Sequence, residues 1–332
     1  MTAPQLQIYQ SPPAGIFGLP ASELADHLPG PSLIHLHGSG GPAIFISLLL
    51  HGNETSGWNA LCDLMNTTGV DREVLVFIGN IEAAAAGVRS LPGQPDYNRI
   101  WRDADVQEAR MAEDVLAYIA RQRPLVAVDL HNNTGRNPHY SVITDHAPST
   151  LGLAALFAET AVYVEEPDTV LSRALGAYCP SIAVELGPIN DPASDQRALS
   201  FLSRLLDLEA LPSAPVQPLA IYQALARVHI KRGIAFDFAD HHHDATDLTL
   251  TAGIEGVNFH DLAAGTPFGY VRRPLEEVVT VLNPDHEDVT RTYLTVVDSR
   301  LELAREVIPA MYTTDPDVVM QDCLCYFMER MP

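Results

Sequence analysis

AIFISLLLHGNETSGWNALCDLMN, residues 43–66, decides the fold. The apolar run Ile44 to Leu50, interrupted only by Ser47, reads as a strand buried on both faces, and it stops abruptly at His51. Glu54 follows three residues later, flanked by Gly52 and Gly57. Residues 55–66 then switch to helical spacing through Trp58, Leu61, Leu64 and Met65. A buried strand that passes through a short polar loop into a helix is the repeating unit of an α/β sheet.

Similar units lie on both sides of it. SLIHLHGSGGPAIFISLLLHG (32–52) reads as a strand, a Gly-rich turn and a second strand. VLVFIGN (74–80), LVAVDLH (125–131) and SIAVELG (181–187) are further buried strands. The alanine run at 83–86 suits a helix start. VQEARMAEDVLAYIARQ (106–122) is amphipathic, with Met111, Val115, Leu116 and Ile119 on one face, and ALSFLSRLLDLEAL (198–211) is helical. The alternation predicts an α/β fold with a largely parallel sheet. At PSAPVQP (212–218) the texture changes, and short strand-like segments follow: IYQALARVHI, LTLTAGI and TYLTVV. The expected division is a catalytic domain over 1–212 and a smaller β-rich domain over 213–332.

Bulk properties narrow the functional class. The 332 residues carry a net charge of −22, which argues against nucleic acid and anionic membrane surfaces as partners. The four cysteines form no C-x-x-C pair. The start, MTAPQLQIYQSPPAG, has neither a basic segment nor an apolar one, and no apolar run reaches the roughly 18 residues that span a membrane. The expectation is a soluble cytoplasmic protein.

Three apolar runs end in unusual polar residues. One ends at His51 with Glu54 beyond it, one ends at Asp129 and His131, and one carries Glu185. Ligand sites of open α/β sheets lie beyond the carboxyl ends of the strands, so these groups are expected at one edge. Two imidazoles and a carboxylate suit an open Zn²⁺ site, with His51, Glu54 and His131 as ligands. Gly52 would give the loop its backbone freedom. Asp129, two residues before His131, could fix that histidine's tautomer. Hydrolysis at such a site needs a further carboxylate to take a proton and return it to the leaving group, and Glu185 is the candidate. A lone histidine at a strand end is ordinarily just a satisfied polar residue, and Glu185 could be a buried acid paired to an arginine. The metal reading rests on the combination.

HGNE (51–54), DYNR (96–99), DLHNNT (129–134) and VELGP (184–188), in this order, resemble the succinylglutamate desuccinylase/aspartoacylase group of zinc amidohydrolases, related to the metallocarboxypeptidases. The resemblance covers roughly residues 30–190. It implies a carboxypeptidase-like α/β/α catalytic domain, a β-rich C-terminal domain and one Zn²⁺ per chain, held by His51, Glu54 and His131. It implies that Glu185 is the general base and that Arg89 stabilises the oxyanion. Asn98 and Arg99 would grip the substrate carboxylate, for which arginine's planar fork is suited. Tyr293 is the candidate for the tyrosine that the family's C-terminal domain supplies. Three features depart from the family pattern: a longer SLPGQPDY segment after Arg89, Tyr97 in place of a leucine, and GNIE (79–82) in place of Gly-Asn-Pro.

The implied substrate is a small anionic N-acyl amino acid or similar amide. A carboxypeptidase acting on peptides or cell-wall fragments is the alternative, with a non-catalytic binding protein behind it. A homo-oligomer is left open. HGSGGP (37–42) partly imitates an oxyanion loop, but the chain has no G-x-S-x-G elbow, and Pro42 leads into a strand rather than a helix, so a hairpin turn is expected there. The histidines of ADHHHDATD (239–247) could bind metal, but read better as a solvated loop.

Overall fold

In the computed structural model, which describes residues 4–331, the run that opens the sequence reading becomes a strand with all five residues buried. It is one of eight in the first of two units, which comprises Met1–Asn132 and His139–Ala220. They are β1 (Gln7–Tyr9), β2 (Ser32–Leu36), β3 (Ile44–Leu48), β4 (Val74–Ile78), β5 (Val126–Asn133), β6 (Tyr140–Ile143), β7 (Thr160–Tyr163) and β8 (Ser181–Pro188). Their order in the sheet is β1-β2-β4-β3-β5-β8-β6-β7. β3 runs parallel to both β4 and β5. Ala127 at the start of β5 donates to the Pro180 carbonyl just before β8, so β5 and β8 also run the same way. The carboxyl ends of β3, β5 and β8 therefore share one edge.

The helices are α1 (Ser56–Thr67), α2 (Ile81–Ala86), α3 (Ala109–Gln122), α4 (Pro148–Phe157), α5 (Leu171–Leu175) and α6 (Pro192–Leu206). Met111, Val115 and Ile119 of α3 and Leu171 and Leu175 of α5 pack with Leu33, Phe45, Leu75, Phe77 and Ala127 on one face of the sheet. Gly57 of α1 lies against Leu48 and Leu130 on the other face, and α1 packs against α6. Helices on both faces of a mixed sheet make this the α/β class that the alternation predicts. No helix among the described residues is long and apolar enough to cross a membrane.

The second unit comprises Asn133–Pro138 and Ile221–Pro332. Its strands are β9 (Ala220–Ile230), β10 (Phe236–Phe238), β11 (Leu248–Leu250), β12 (Pro267–Val271), β13 (Val279–Leu282), β14 (Leu294–Val297), β15 (Arg300–Leu303), β16 (Ile308–Ala310) and β17 (Cys325–Arg330). One group runs β13-β9-β17-β16, all antiparallel, and a separate five-stranded sheet runs β10-β11-β12-β15-β14. The two share a core that includes Val228, Phe268, Leu294, Tyr312 and Phe327.

Two readings of the glycines change. HGSGGP does not turn a hairpin, because β2 and β3 both pair with β4, which lies between them. The loop crosses the start of β4 in close contact with it: Gly40 N–H donates to Asp71, and a Cβ on Gly38 would lie 2.4 Å from the Arg72 nitrogen. Gly52 likewise serves close approach rather than backbone freedom. A Cβ there would lie 2.2 Å from Ala84 N and 2.3 Å from the Ala83 carbonyl carbon of α2. The left-handed residue that ends β3 is Leu49, at φ 57°, and it costs roughly 1–2 kcal/mol. Gly52→Ala is expected to destabilise the protein by about 1–3 kcal/mol, since the obstructing atoms are backbone. Thermal unfolding checks this, and an unchanged midpoint would contradict it.

Candidate metal and catalytic site

The bend at Leu49 releases the chain from β3 and delivers His51 and Glu54 to the shared sheet edge. His131 arrives on the last turn of pleat in β5, and Glu185 on β8. His51, Glu54 and His131 are 4%, 5% and 4% exposed. Buried groups of this kind must be paired, and they are. Glu54 Oε1 lies 2.8 Å from His51 Nδ1, and Glu54 Oε2 lies 2.8 Å from His131 Nδ1. Asn132 N–H donates to Glu54 Oε2 at 3.3 Å.

The far nitrogens are also held. His131 Nε2 lies 2.7 Å from Asp129 Oδ2, and His51 Nε2 lies 3.0 Å from Asp96 Oδ1. Each imidazole is thus fixed at both ends, with its Nδ1 turned to the same carboxylate. The three facing ligand atoms lie within 4.8 Å of one another. Two nitrogens and a carboxylate oxygen, converging from side chains whose other nitrogens are anchored, form a donor set suited to a divalent metal ion.

Asp96 is the residue to which sequence reasoning gave no role. It sits in DYNR, caps the short turn Tyr97–Arg99 through Asn98 N–H at 2.7 Å, and binds Arg89 Nη2 at 3.0 Å. One carboxylate therefore ties His51, Arg89 and the Asn98–Arg99 turn together. Arg89 Nη1 also reaches Glu54 at 3.5 Å. Asn98 is held on both sides: its Oδ1 accepts from Leu171 N–H at 3.0 Å, and its Nδ2 lies 3.4 Å from His131 Nε2. Arg99 Nη1 donates to the Asn98 carbonyl at 3.0 Å. Of the residues singled out in the sequence, His51, Glu54, Arg89, Asn98, Arg99 and His131 are joined in this network, and Glu185 lies near enough to feel the charges of His131, Glu54, His51 and Arg89. Tyr293 belongs to the core of the second unit, with its ring stacked 5.3 Å from that of Phe327. The ADHHHDATD tract supplies no metal-binding group among the described residues. His243 there contacts Asp237.

Electrostatics set the two carboxyl groups apart. Burial alone would raise Glu54, but the imidazoles on either side hold its carboxyl well below the usual range. For Asp96, half-buried, partial burial pulls up, and His51 and Arg89 more than offset it and hold its carboxyl well below the usual range. Burial works against the charge on His131, yet Asp129 and Glu54 raise it well above an ordinary histidine. For His51, burial and Arg89 pull down, and Glu54 and Asp96 more than offset them. Glu185 is the opposite case. Burial, with Glu54 adding, pushes its carboxyl up to about 7 against the pull of His131, His51 and Arg89. Its Oε2 is buried with no hydrogen-bond partner.

Residues 40–209, just over half of the chain, match the family described as succinylglutamate desuccinylase/aspartoacylase catalytic domain. Among solved structures, succinylglutamate desuccinylase from Chromobacterium violaceum superposes with a TM-score of 0.53 at 15% identity, covering 88% of this chain and 86% of its own. The succinylglutamate desuccinylase/aspartoacylase from Rhodobacter sphaeroides gives 0.57 at 15%, covering 90% and 88%. Murine aminoacylase 3 gives 0.57 at 17%, covering 88% and 96%. No protein with a curated description matches the chain.

Asp129→Asn keeps the shape of the group on His131 Nε2 but removes its charge. It is expected to weaken metal binding roughly 10- to 100-fold, as loss of such orienting groups does. Titration against a competing chelator checks this, and unaltered affinity would contradict the role given to Asp129.

Proposed function

The chain belongs to the succinylglutamate desuccinylase/aspartoacylase family, and on that premise we propose that it is a zinc-dependent hydrolase. Its substrate in this reading is an N-acyl amino acid or a similar small carboxylate-bearing amide, cut at the amide bond. The observation that carries the reading is a pair of buried carboxylates on one sheet edge with opposite character. Glu54 is held ionised between two imidazoles, while Glu185, near the same cluster, is poised at about 7. A group that must both accept and donate a proton works best near the operating pH.

His51, Glu54 and His131 would hold the zinc, and two imidazoles with a carboxylate favour that ion. Zinc, when bound, polarises the scissile carbonyl and acidifies a water beside it. Glu185 takes the proton of the attacking water on its carboxylate. It then hands the proton to the departing nitrogen, so that one amide and one water become one acid and one amine. Arg89, steadied by Asp96 at 3.0 Å, stabilises the negative charge that develops on the carbonyl oxygen. Asn98 and Arg99 receive the substrate's carboxylate, which explains how so acidic a chain takes an anionic substrate. In this reading the reaction takes place in the cytoplasm, where cysteines outside disulfides, as Cys62, Cys179, Cys323 and Cys325 are, stay reduced.

Glu185→Gln is expected to keep its zinc and lose turnover by roughly 100- to 10,000-fold. Near-normal turnover in that variant would contradict the assignment. The wild-type kcat/KM should fall as the pH drops below about 7, because the base is then protonated, and this limb should vanish in Glu185→Gln. A wild-type profile flat from pH 5 to 8 would remove Glu185 from the role.

A further inference from the structure

A second set of metal-binding side chains lies at the other edge of the first unit's sheet. β2 and β4 are antiparallel, with Leu36 opposite Val74. His37 follows β2 directly and Glu73 precedes β4 directly, so the two stand across from each other. Side chains alternate along a strand, which puts His35, His37 and Glu73 on one face. That edge holds the start of β4, whereas His51 lies past the end of β3, its parallel partner. A full strand, roughly 13 Å at about 3.3 Å per residue, separates the two clusters.

The side chains converge on one point. His35 Nε2 lies 2.7 Å from Glu73 Oε1, and His37 Nδ1 lies 3.9 Å from the same oxygen. The two imidazole centroids are 4.0 Å apart. All three ligand atoms lie within 4.8 Å of one another, as at the catalytic cluster. Imidazole lone pairs can be shared by one cation, with the carboxylate supplying charge.

The surroundings fix this geometry. His35 is 3% exposed, in line with Leu33 on the face that α3 covers. The Tyr118 hydroxyl of α3 lies 2.9 Å from His35 Nδ1, the nitrogen turned away from Glu73. A partner on the far nitrogen sets the tautomer and aims the other nitrogen at a metal. Ser39 N–H and hydroxyl both bind Asp71 Oδ1, at 3.2 and 3.0 Å, and Gly40 N–H donates to the Asp71 carbonyl. The chain after His37 is thereby pinned beside Glu73. His37 and Glu73 have side chains 57% and 35% exposed, so an ion could enter from solvent and keep water in its remaining position.

We propose that His35, His37 and Glu73 form a second divalent-cation site of zinc type, separate from the catalytic cluster, that clamps the end of β2 to the start of β4. Two imidazoles and one carboxylate select zinc over calcium or magnesium, which prefer all-oxygen shells. Closing on an ion with ligand distances of about 2.0–2.2 Å asks Glu73 to draw back slightly from His35 and the exposed His37 ring to move in towards Glu73.

The test is the zinc content of the whole chain after gel filtration, for wild type, His37→Ala and Glu73→Gln, with folding checked by circular dichroism. Both substituted side chains are solvent-accessible, so the variants should fold. Each is expected to carry one zinc equivalent fewer than wild type, with hydrolysis of N-acyl amino acids unchanged. Equal zinc content in wild type and both variants would overturn the proposal. The readout is a difference, so it stands apart from the proposed reaction. Should the catalytic cluster bind no zinc, the wild type would still hold one equivalent that His37→Ala lacks.

Discussion

The structure of the site depends on the Glu54 carboxylate, which is buried between two imidazoles and touches each at 2.8 Å. A lone buried carboxylate would be heavily penalised, and so would either histidine in its charged form. Together they satisfy one another, and the sheet is arranged to bring them together. Leu49 accepts a left-handed backbone so that the chain leaves β3 towards His51. Gly52 lets the loop lie against α2, and parallel β5 delivers His131 to the same edge. Asp129 and Asp96 then occupy the outer nitrogens, so neither ring can turn away.

This arrangement also gives the two carboxylates opposite electrostatic character. Both are buried within one site, yet their surroundings push them in opposite directions. Glu54 faces cationic partners and stays ionised, as a ligand should. Glu185 is desolvated with one oxygen unpartnered, which suits the proton exchange proposed for it. Asp96 ties these elements to the residues proposed to handle the substrate, because the carboxylate that braces His51 also holds Arg89 and caps the turn that carries Asn98 and Arg99.

Local patterns made much of this legible in the sequence. β3, β4, β5 and β8 are buried on both faces, and such strands appear as near-continuous apolar runs. Their polar terminators, His51, Asp129, His131 and Glu185, stand out because apolar runs seldom end that way. Non-local features were hidden. HGSGGP has the composition of a hairpin, but whether β2 pairs with β3 depends on β4, some thirty residues on, entering between them. The start of α6 falls at Pro192 rather than 198, since Asp191 and Pro192 form a cap-and-first-turn pair that apolar spacing alone passes over. Asp96 was visible within its motif, but its importance lies in partners 45 and 7 residues away. His35 looked like an ordinary strand residue until Glu73 and Tyr118 came beside it.

The central claim is that the histidine–glutamate cluster drives amide hydrolysis with a bound metal. It is tested most directly by amine release from N-acetyl, N-succinyl and N-formyl amino acids, measured on chelator-stripped and zinc-reloaded protein side by side. The expected result is release from at least one member of the panel, abolished on stripping and restored by zinc. Silence across the panel from fully reloaded protein, or equal release with and without the metal, would contradict it.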